Sequence, residues 1–201
     1  MNVSLKLTDG RGGLEAHAGE VILLTGDVGC GKSVWLKRLA GLLDFPKGVR
    51  MDMQESAPVV RMQFDRWPAI WLGGTVEEEL LFGLKKTLSE QQLEGALLAW
   101  HLPEVSLMAE PQSLDRHQSI CLSLAAIALA KPSLLLLDNP SAALPEQMAK
   151  ALSEDIAAWA KLSNTIVVVA SNRWHDWRTV VAQTWCVSAP DSLPHLTDRQ
   201  E

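Results

Sequence analysis

The amino-acid sequence predicts an α/β fold with a largely parallel, buried sheet. Two observations carry this expectation. Short apolar, β-prone runs alternate with stretches of helical periodicity, the order that a parallel sheet with crossover helices requires. The segment "GDVGCGKS" (26–33) lies between one such run and one such helical stretch, where glycines and a helix N-terminus have a specific use.

The elements follow in chain order. "VSLKL" (3–7) alternates apolar and polar residues and is expected at a sheet edge. "EVILLT" (20–25) is nearly apolar throughout, as a strand covered on both faces is. "KSVWLKRLAGLL" (32–43) carries apolar residues at helical spacing and ends before Pro46 and Gly48. "PVVRM" (58–62) is the next strand. "TVEEELLFGLKK" (75–86) opens at a threonine with Glu77–Glu79 in its first turn, where the helix dipole favours acids, and closes on solvated Lys85 and Lys86. "SEQQLEGALLAWH" (89–101) opens with Ser89 and Gln92 at capping-box spacing. Helical patterns at 118–130 and 145–162 and strands at 133–138, 165–170 and 184–188 complete the set. No repeat, low-complexity tract or flexible linker interrupts them, so residues 1–201 read as one domain.

Composition narrows the function classes. A chain of 201 residues with 47% apolar and 21% charged residues is a globular domain with a substantial core. Its net charge of −6, without a Lys/Arg-rich stretch, argues against a nucleic-acid partner. Cys30, Cys121 and Cys186 are scattered, odd in number and without metal-ligand spacing, which fits a reducing cytoplasm better than a disulfide framework. Residues 1–13 lack the apolar core of a secretion signal, and the apolar runs are too short to span a bilayer. The expected location is cytoplasmic, peripheral at the inner face of a membrane only through a partner.

The glycine-rich segment fits G-x-x-x-x-G-K-[ST]. Gly26, Asp27, Val28, Gly29, Cys30, Gly31, Lys32, Ser33 and Val34 are therefore expected to bind a nucleotide. Glycines let the backbone bend so that its N–H groups face the phosphates at a helix N-terminus. Lys32 brings a point charge to the β- and γ-phosphates, and the Ser33 hydroxyl is suited to Mg²⁺. Cys30 is read as a small residue at a variable loop position, with a redox role as the alternative. Asp138, ending "LLLLD", is the acid for the magnesium shell. ATP and Mg²⁺ are the expected cofactors.

From about residue 14 to about residue 172 the chain resembles the ATP-binding cassette (ABC) ATPases. "AGEVILLTGDVGCGKSVWLKRLAGLL" resembles that family's stretch around the phosphate loop. "RMQFDRWPAIWLGGTVEEELLFG" is similar to its Q-loop region, with Gln63 in the place of the glutamine that reaches metal and attacking water. "LAAIALAKPSLLLLDNPSAAL" resembles the stretch from the signature helix to the D-loop, and "TVEEELLFGL" is like the cobalt/energy-coupling-factor branch. The resemblance implies a P-loop NTPase fold, a sheet flanked by helices, and a small helical subdomain over approximately 64–118. It also implies two partners, a membrane-embedded transporter subunit and a second ATP-binding subunit, identical or not. Ser33, Gln63 and Asp138 become the expected metal ligands. Trp67 and Trp71 fall in the segment that meets the membrane subunit, with internal packing as the other reading.

Several family positions are substituted. The water-polarising glutamate after the Walker B aspartate is Asn139, which cannot take a proton; a positioned base contributes about 10²–10⁴-fold. "LDRHQ" (114–118) stands where L-S-G-G-Q is expected, so Asp115 faces phosphate with a negative charge, partly offset by Arg116, and Arg116 and His117 bring side chains where glycines allow close approach. The switch histidine is Ser171, with His175-Asp176 one turn later as a shifted substitute; the alternative there is a polar helix start with Trp174 and Trp177 packed beneath. Pro145 follows "AAL" in place of the D-loop aspartate, and no aromatic residue precedes Trp35 to stack on adenine. No catalytic residue is thus assigned. Three readings stay open: a transporter ATP-binding subunit with impaired or absent hydrolysis, an active transporter ATPase in which Asn139 positions water, and a regulatory or scaffold protein on the same fold.

Overall fold

A computed structural model describes residues 3–55 and 57–197. These form two compact units, one within Met1–Asp65 and Pro132–Glu201, the other Arg66–Lys131.

The first unit holds two sheets. The smaller is antiparallel, built from β1 (Ser4–Thr8), β2 (Gly13–His17) and β4 (Arg50–Met53) in the order β2-β1-β4. β1 is therefore the central strand, not the edge that its alternation suggested. Leu5 and Leu7 are fully buried on one face, while both backbone edges pair with neighbours. β2 and β4, "GLEAH" and "RMDM", are short and polar enough to escape a hydrophobicity reading.

The larger sheet contains β3 (Val21–Thr25), β5 (Val60–Gln63), β6 (Leu134–Asp138), β7 (Ile166–Ala170), β8 (Gln183–Cys186) and β9 (His195–Thr197). Their order is β5-β6-β7-β3-β8-β9, parallel except for the last pair. The parallel strands have both faces covered: Ile22, Leu23, Leu135, Leu136, Val167 and Val168 are at most 3% exposed. This is why they read as continuous apolar runs. Asp138 pairs in register with Ala170 and Gln63 with Leu137. The loop after β3, Gln63, Asp138 and Ser171 therefore sit at the carboxyl ends of the strands, where ligands of open α/β sheets bind.

α1 (Lys32–Leu39) stops short of residue 43, because Ala40 caps it and Gly41 turns the chain at φ 73°. Its Trp35, Leu36 and Leu39 share one core with Leu5 and Leu7 of β1 and with Ile22, Leu134 and Ile166 of the larger sheet. Burying a side chain of this size contributes about 1.5–3 kcal/mol, so the helix that follows the glycine loop is firmly seated. Arg38 staples it further. Its Nη2 lies 2.8 Å from Asp191, its Nε donates to the Asp44 carbonyl, and its Nη1 donates to the Pro190 carbonyl. α5 (Glu146–Ser163) presents Ala149, Leu152, Ile156 and Ala160 inward and ends on Asn164 in the left-handed region.

The second unit contains α2 (Val76–Leu81), α3 (Glu90–Ala99), a 3₁₀ turn at Pro111–Ser113 and α4 (Arg116–Leu129). Thr75 and Ser89 cap α2 and α3, the latter through a full capping box with Gln92. α2 ends well before residue 86, since Phe82 is extended and Gly83 has φ 72°. The acids of α2 do more than complement a dipole. Glu79 Oε2 accepts hydrogen bonds from the Leu72 and Gly73 N–H groups at 2.8 Å, and Glu78 Oε2 accepts one from Gly74 at 2.7 Å. α4 starts two residues before the expected 118, because Asp115 and Gln118 form a second capping box.

Candidate functional site

The glycine loop leaves β3 and enters α1 through two positions that only glycine suits. Gly26 has φ 136°, and a Cβ there would stand 2.4 Å from the Val187 carbonyl oxygen and 2.8 Å from Cys30 Sγ. Gly31, the N-cap of α1, has φ 106° and would bring a Cβ to 2.8 Å from Pro190. Both combine a left-handed backbone with close packing against residues that follow β8. Lys32 is 9% exposed, and its Nζ donates to the carbonyls of Gly26 at 2.7 Å and Asp27 at 3.0 Å. Its charge is thereby held at the lip of the loop.

Across the sheet, Ser33 Oγ donates to Asp138 Oδ1 at 2.9 Å, joining α1 to the end of β6. Burial pushes the Asp138 carboxyl above its usual range, the Ser33 hydrogen bond opposes this, and the charge of Asp65 adds to it. Gln63 ends β5 beside this pair, and its Oε1 is buried without a hydrogen-bond partner. A hydroxyl, a carboxylate and an orphaned amide oxygen are hard oxygen donors, the set that Mg²⁺ takes together with phosphate oxygens. The residues fit the ion: Ser33, Asp138 and Gln63 are those able to hold it. Bound there, it would neutralise charge on the β- and γ-phosphates.

Asn139 has φ 53° and donates its backbone N–H to the Ala170 carbonyl at 2.8 Å. Asparagine tolerates the left-handed region better than most residues, which gives the amide a conformational reason to stand there. Its Nδ2 donates to Asp65 Oδ2 at 3.0 Å, while its Oδ1 is buried and unpartnered.

A scan against protein families matches the "ABC transporter" model over residues 12–142. The chain belongs to the ABC transporter family. The energy-coupling factor transporter ATP-binding protein EcfA of Methanosarcina acetivorans is 30% identical over 191 residues, covering 85% of this chain and 69% of that protein. The putrescine transport ATP-binding protein PotG of Escherichia coli is 32% identical over 147 residues, covering 67% of this chain. The ABC chain spans 38% of the length of PotG, and 47% of that of an aliphatic sulfonates import protein, SsuB 2 of Pseudomonas savastanoi pv. phaseolicola. Among solved structures, cbiO1 from Clostridium perfringens, part of the complex cbiONQ, superposes with a TM-score of 0.81 at 15% identity, covering 100% of this chain and 90% of that one. The P-loop NTPase fold follows, and family membership implies ATP binding. Among the described residues no helix is long and apolar enough to cross a membrane.

In this ABC protein the substituted positions have local partners. Asp115 Oδ1 accepts the Gln118 N–H at 2.8 Å, so its charge complements its own helix N-terminus. The Arg116 guanidinium lies 5.5 Å from the centre of the Trp67 ring, and His117 Nε2 lies 3.7 Å from Cys121 Sγ. Ser171 is buried, its Oγ accepting the Arg173 N–H at 3.0 Å. The segment after it forms only a 3₁₀ turn, Trp174–Asp176. Trp177 is fully buried there and Trp174 is 43% exposed, so one of the two tryptophans packs beneath it. His175 turns toward Asp176 at 3.3 Å. Sequence reasoning passed over Asp65.

Proposed function

We propose that this chain is the ATP-binding subunit of an ABC-type transporter, binding Mg-nucleotide at residues 26–34 and hydrolysing it more slowly than a subunit with glutamate at position 139. The single observation that carries the reading is the Ser33–Asp138 hydrogen bond of 2.9 Å beneath a complete glycine-lysine loop. Loop, lysine and acid together support binding, while the next side chain is an amide. Backbone N–H groups of the loop and the α1 N-terminus would hold the phosphates, with Lys32 exchanging its carbonyl partners for phosphate oxygens.

The partners in this reading are a membrane-embedded transporter subunit and a second ATP-binding subunit, which keeps the chain at the inner, cytoplasmic face of a membrane. Trp67, Ile70 and Leu72, exposed by 47, 58 and 63%, support it as apolar anchors for the membrane subunit. The test is Mg-ATP binding by calorimetry alongside phosphate release, with Lys32→Ala as the control. Binding that disappears in the control supports the reading. A wild-type chain that binds no nucleotide refutes it.

A further inference from the structure

We propose that the β8–β9 connection, residues 187–194, is a strap that fixes the shape of the phosphate loop, and that Arg38 and Asp191, which fasten it, are positioning residues for nucleotide binding. The proposal rests on the nucleotide-binding reading above and deepens it, naming what presets the loop for its ligand.

A glycine-rich loop can take many shapes, and a ligand that fits one of them binds more weakly the smaller the fraction of molecules already in it. Tight binding therefore calls for contacts that hold residues 26–31 before nucleotide arrives. The loop supplies few of its own. Val28 is 87% exposed, Gly29 has open space beside it, and Gly31 caps α1 without a side-chain hydrogen bond. Within the loop, the Cys30 N–H meets the Asp27 carbonyl at 3.2 Å, and Lys32 Nζ rests on two carbonyls that it gives up on turning to phosphate.

The strap touches the loop at both ends. Val187 donates its N–H to the Thr25 carbonyl at 2.9 Å, and its own carbonyl lies against Gly26. Pro190 packs on Gly31, with its Cβ and Cα 2.8 and 2.9 Å from where a side chain there would begin. The two positions that only glycine suits are thus the two that the strap covers.

Arg38 ties this strap to the helix that the loop enters. It is 8% exposed, and its guanidinium lies 5.2 Å from the centre of the buried Trp35 ring. The planar fork donates from Nη1 to the Pro190 carbonyl, from Nη2 to Asp191 Oδ1 at 2.8 Å and from Nε to the Asp44 carbonyl at 2.9 Å, a set that a lysine could not match. Arg38 therefore grips the residue that rests on the N-cap of its own helix. Leu193 packs against the core that α1 shares, which anchors the strap further along.

The competing role is a staple that stabilises the fold and leaves the loop as it is. Full-length wild type, Arg38→Met, Asp191→Ala and the non-binding control Lys32→Ala separate the two. Mg-ATP affinity, melting temperature and hydrogen exchange across residues 187–193, with and without saturating Mg-ATP, are measured on each. Coupling between two regions is reciprocal, so a strap that raises affinity is itself tightened by nucleotide. We expect Arg38→Met to weaken Mg-ATP binding by about five-fold or more. Asp191→Ala should weaken it by about three-fold, with a melting temperature within about 2 °C of wild type, because this side chain is 81% exposed. The sign is diagnostic: an acid acting directly on a polyphosphate repels it, so its removal would strengthen binding. Mg-ATP should slow exchange across the strap in wild type and less so in Arg38→Met.

The proposal is overturned if Asp191→Ala binds Mg-ATP as tightly as wild type or more tightly, a criterion that holds even where Arg38→Met does not fold. It is also overturned if Arg38→Met folds and keeps wild-type affinity, or if saturating Mg-ATP leaves exchange in the wild-type strap unchanged. Each of these outcomes leaves the binding reading standing. Absence of Mg-ATP binding in wild type removes both.

Discussion

The loop after β3 and the turn after β7 lie at the same end of one sheet, yet they hold their charged side chains differently, although the turn too buries one unpartnered atom, Trp177 Nε1. At the loop, Gln63 Oε1 and Asn139 Oδ1 are buried without partners, and Lys32 rests on two carbonyls. At the turn, the Asp176 side chain is 1% exposed and fully engaged: Arg173 Nε at 2.8 Å, Ser141 Oγ at 3.2 Å and His175 Nε2 at 3.3 Å all meet it. Arg173 also donates to the Leu144 carbonyl at 2.7 Å, and Ser153 Oγ donates to the Asp176 carbonyl at 2.7 Å. Unsatisfied buried polar atoms cost stability and persist where a ligand satisfies them, whereas a closed network gives a rigid wall. The contrast separates a segment with polar atoms left open to a ligand from one whose acid is held on three sides.

The largest effect that would sharpen this contrast lies in the wall. Asp176→Ala leaves Arg173, whose side chain is 25% exposed, without its counter-charge, so unfolding free energy should fall by about 3 kcal/mol, the low end for breaking a buried pair. For a chain of this size the melting temperature should drop by roughly 10 °C, read by thermal denaturation. A drop under about 2 °C would mean that the network is not load-sharing.

Asp138→Asn should act in the opposite direction on the free protein. Burial raises the folded pKa of Asp138 above the ordinary 3.8. The folded chain then binds this proton more tightly than the unfolded one, and stability declines as pH rises from near 3.8 through the raised value, staying lower above it. The amide should therefore raise the metal-free melting temperature at pH 7 and flatten its slope across that acidic window. Mg-ATP affinity should fall in the same variant, a divergence that a purely structural Asp138 would not give.

Smaller changes test the remaining contacts. Arg116→Ala removes the guanidinium from the Trp67 ring and should cost about 0.5–1 kcal/mol, visible as a modest shift in denaturant midpoint. His175→Ala, whose side chain is 54% exposed, should change stability by no more than about 0.5 kcal/mol and leave Mg-ATP affinity unaltered. A large loss of phosphate release in His175→Ala would restore it as a switch residue.

Much of the fold was legible because the buried parallel strands must be apolar on both faces, and "VILLT", "LLLLD" and "IVVVA" are. β2, β4 and β9 were not, since strands of three to five residues with polar faces carry little periodic signal. β1 was assigned to an edge because alternation reports one exposed face and says nothing of how many neighbours pair with the backbone. The binding loop could be read from local spacing. Asp65 could not be read the same way, because its partner Asn139 is 74 residues away and only the register of β5 with β6 brings them together. Asp115–Gln118 was legible in principle as a capping pair, though its place in the family's signature drew attention to phosphate instead.

The contacts of Arg38 and Gly31 with Pro190 and Asp191 have a temporal meaning. β3, the strand that delivers the loop, lies between β7 and β8, both made long after it. A ribosome that has finished the whole glycine-lysine motif has made no binding site, because both neighbours of its strand and the residues packed on Gly26 and Gly31 are still unsynthesised. Proteins dominated by such distant pairings fold slowly, and their early segments wait unprotected. Nucleotide can thus recognise this chain only after β8 and the residues that follow it have been made, when binding becomes a reporter that β8 has docked beside β3.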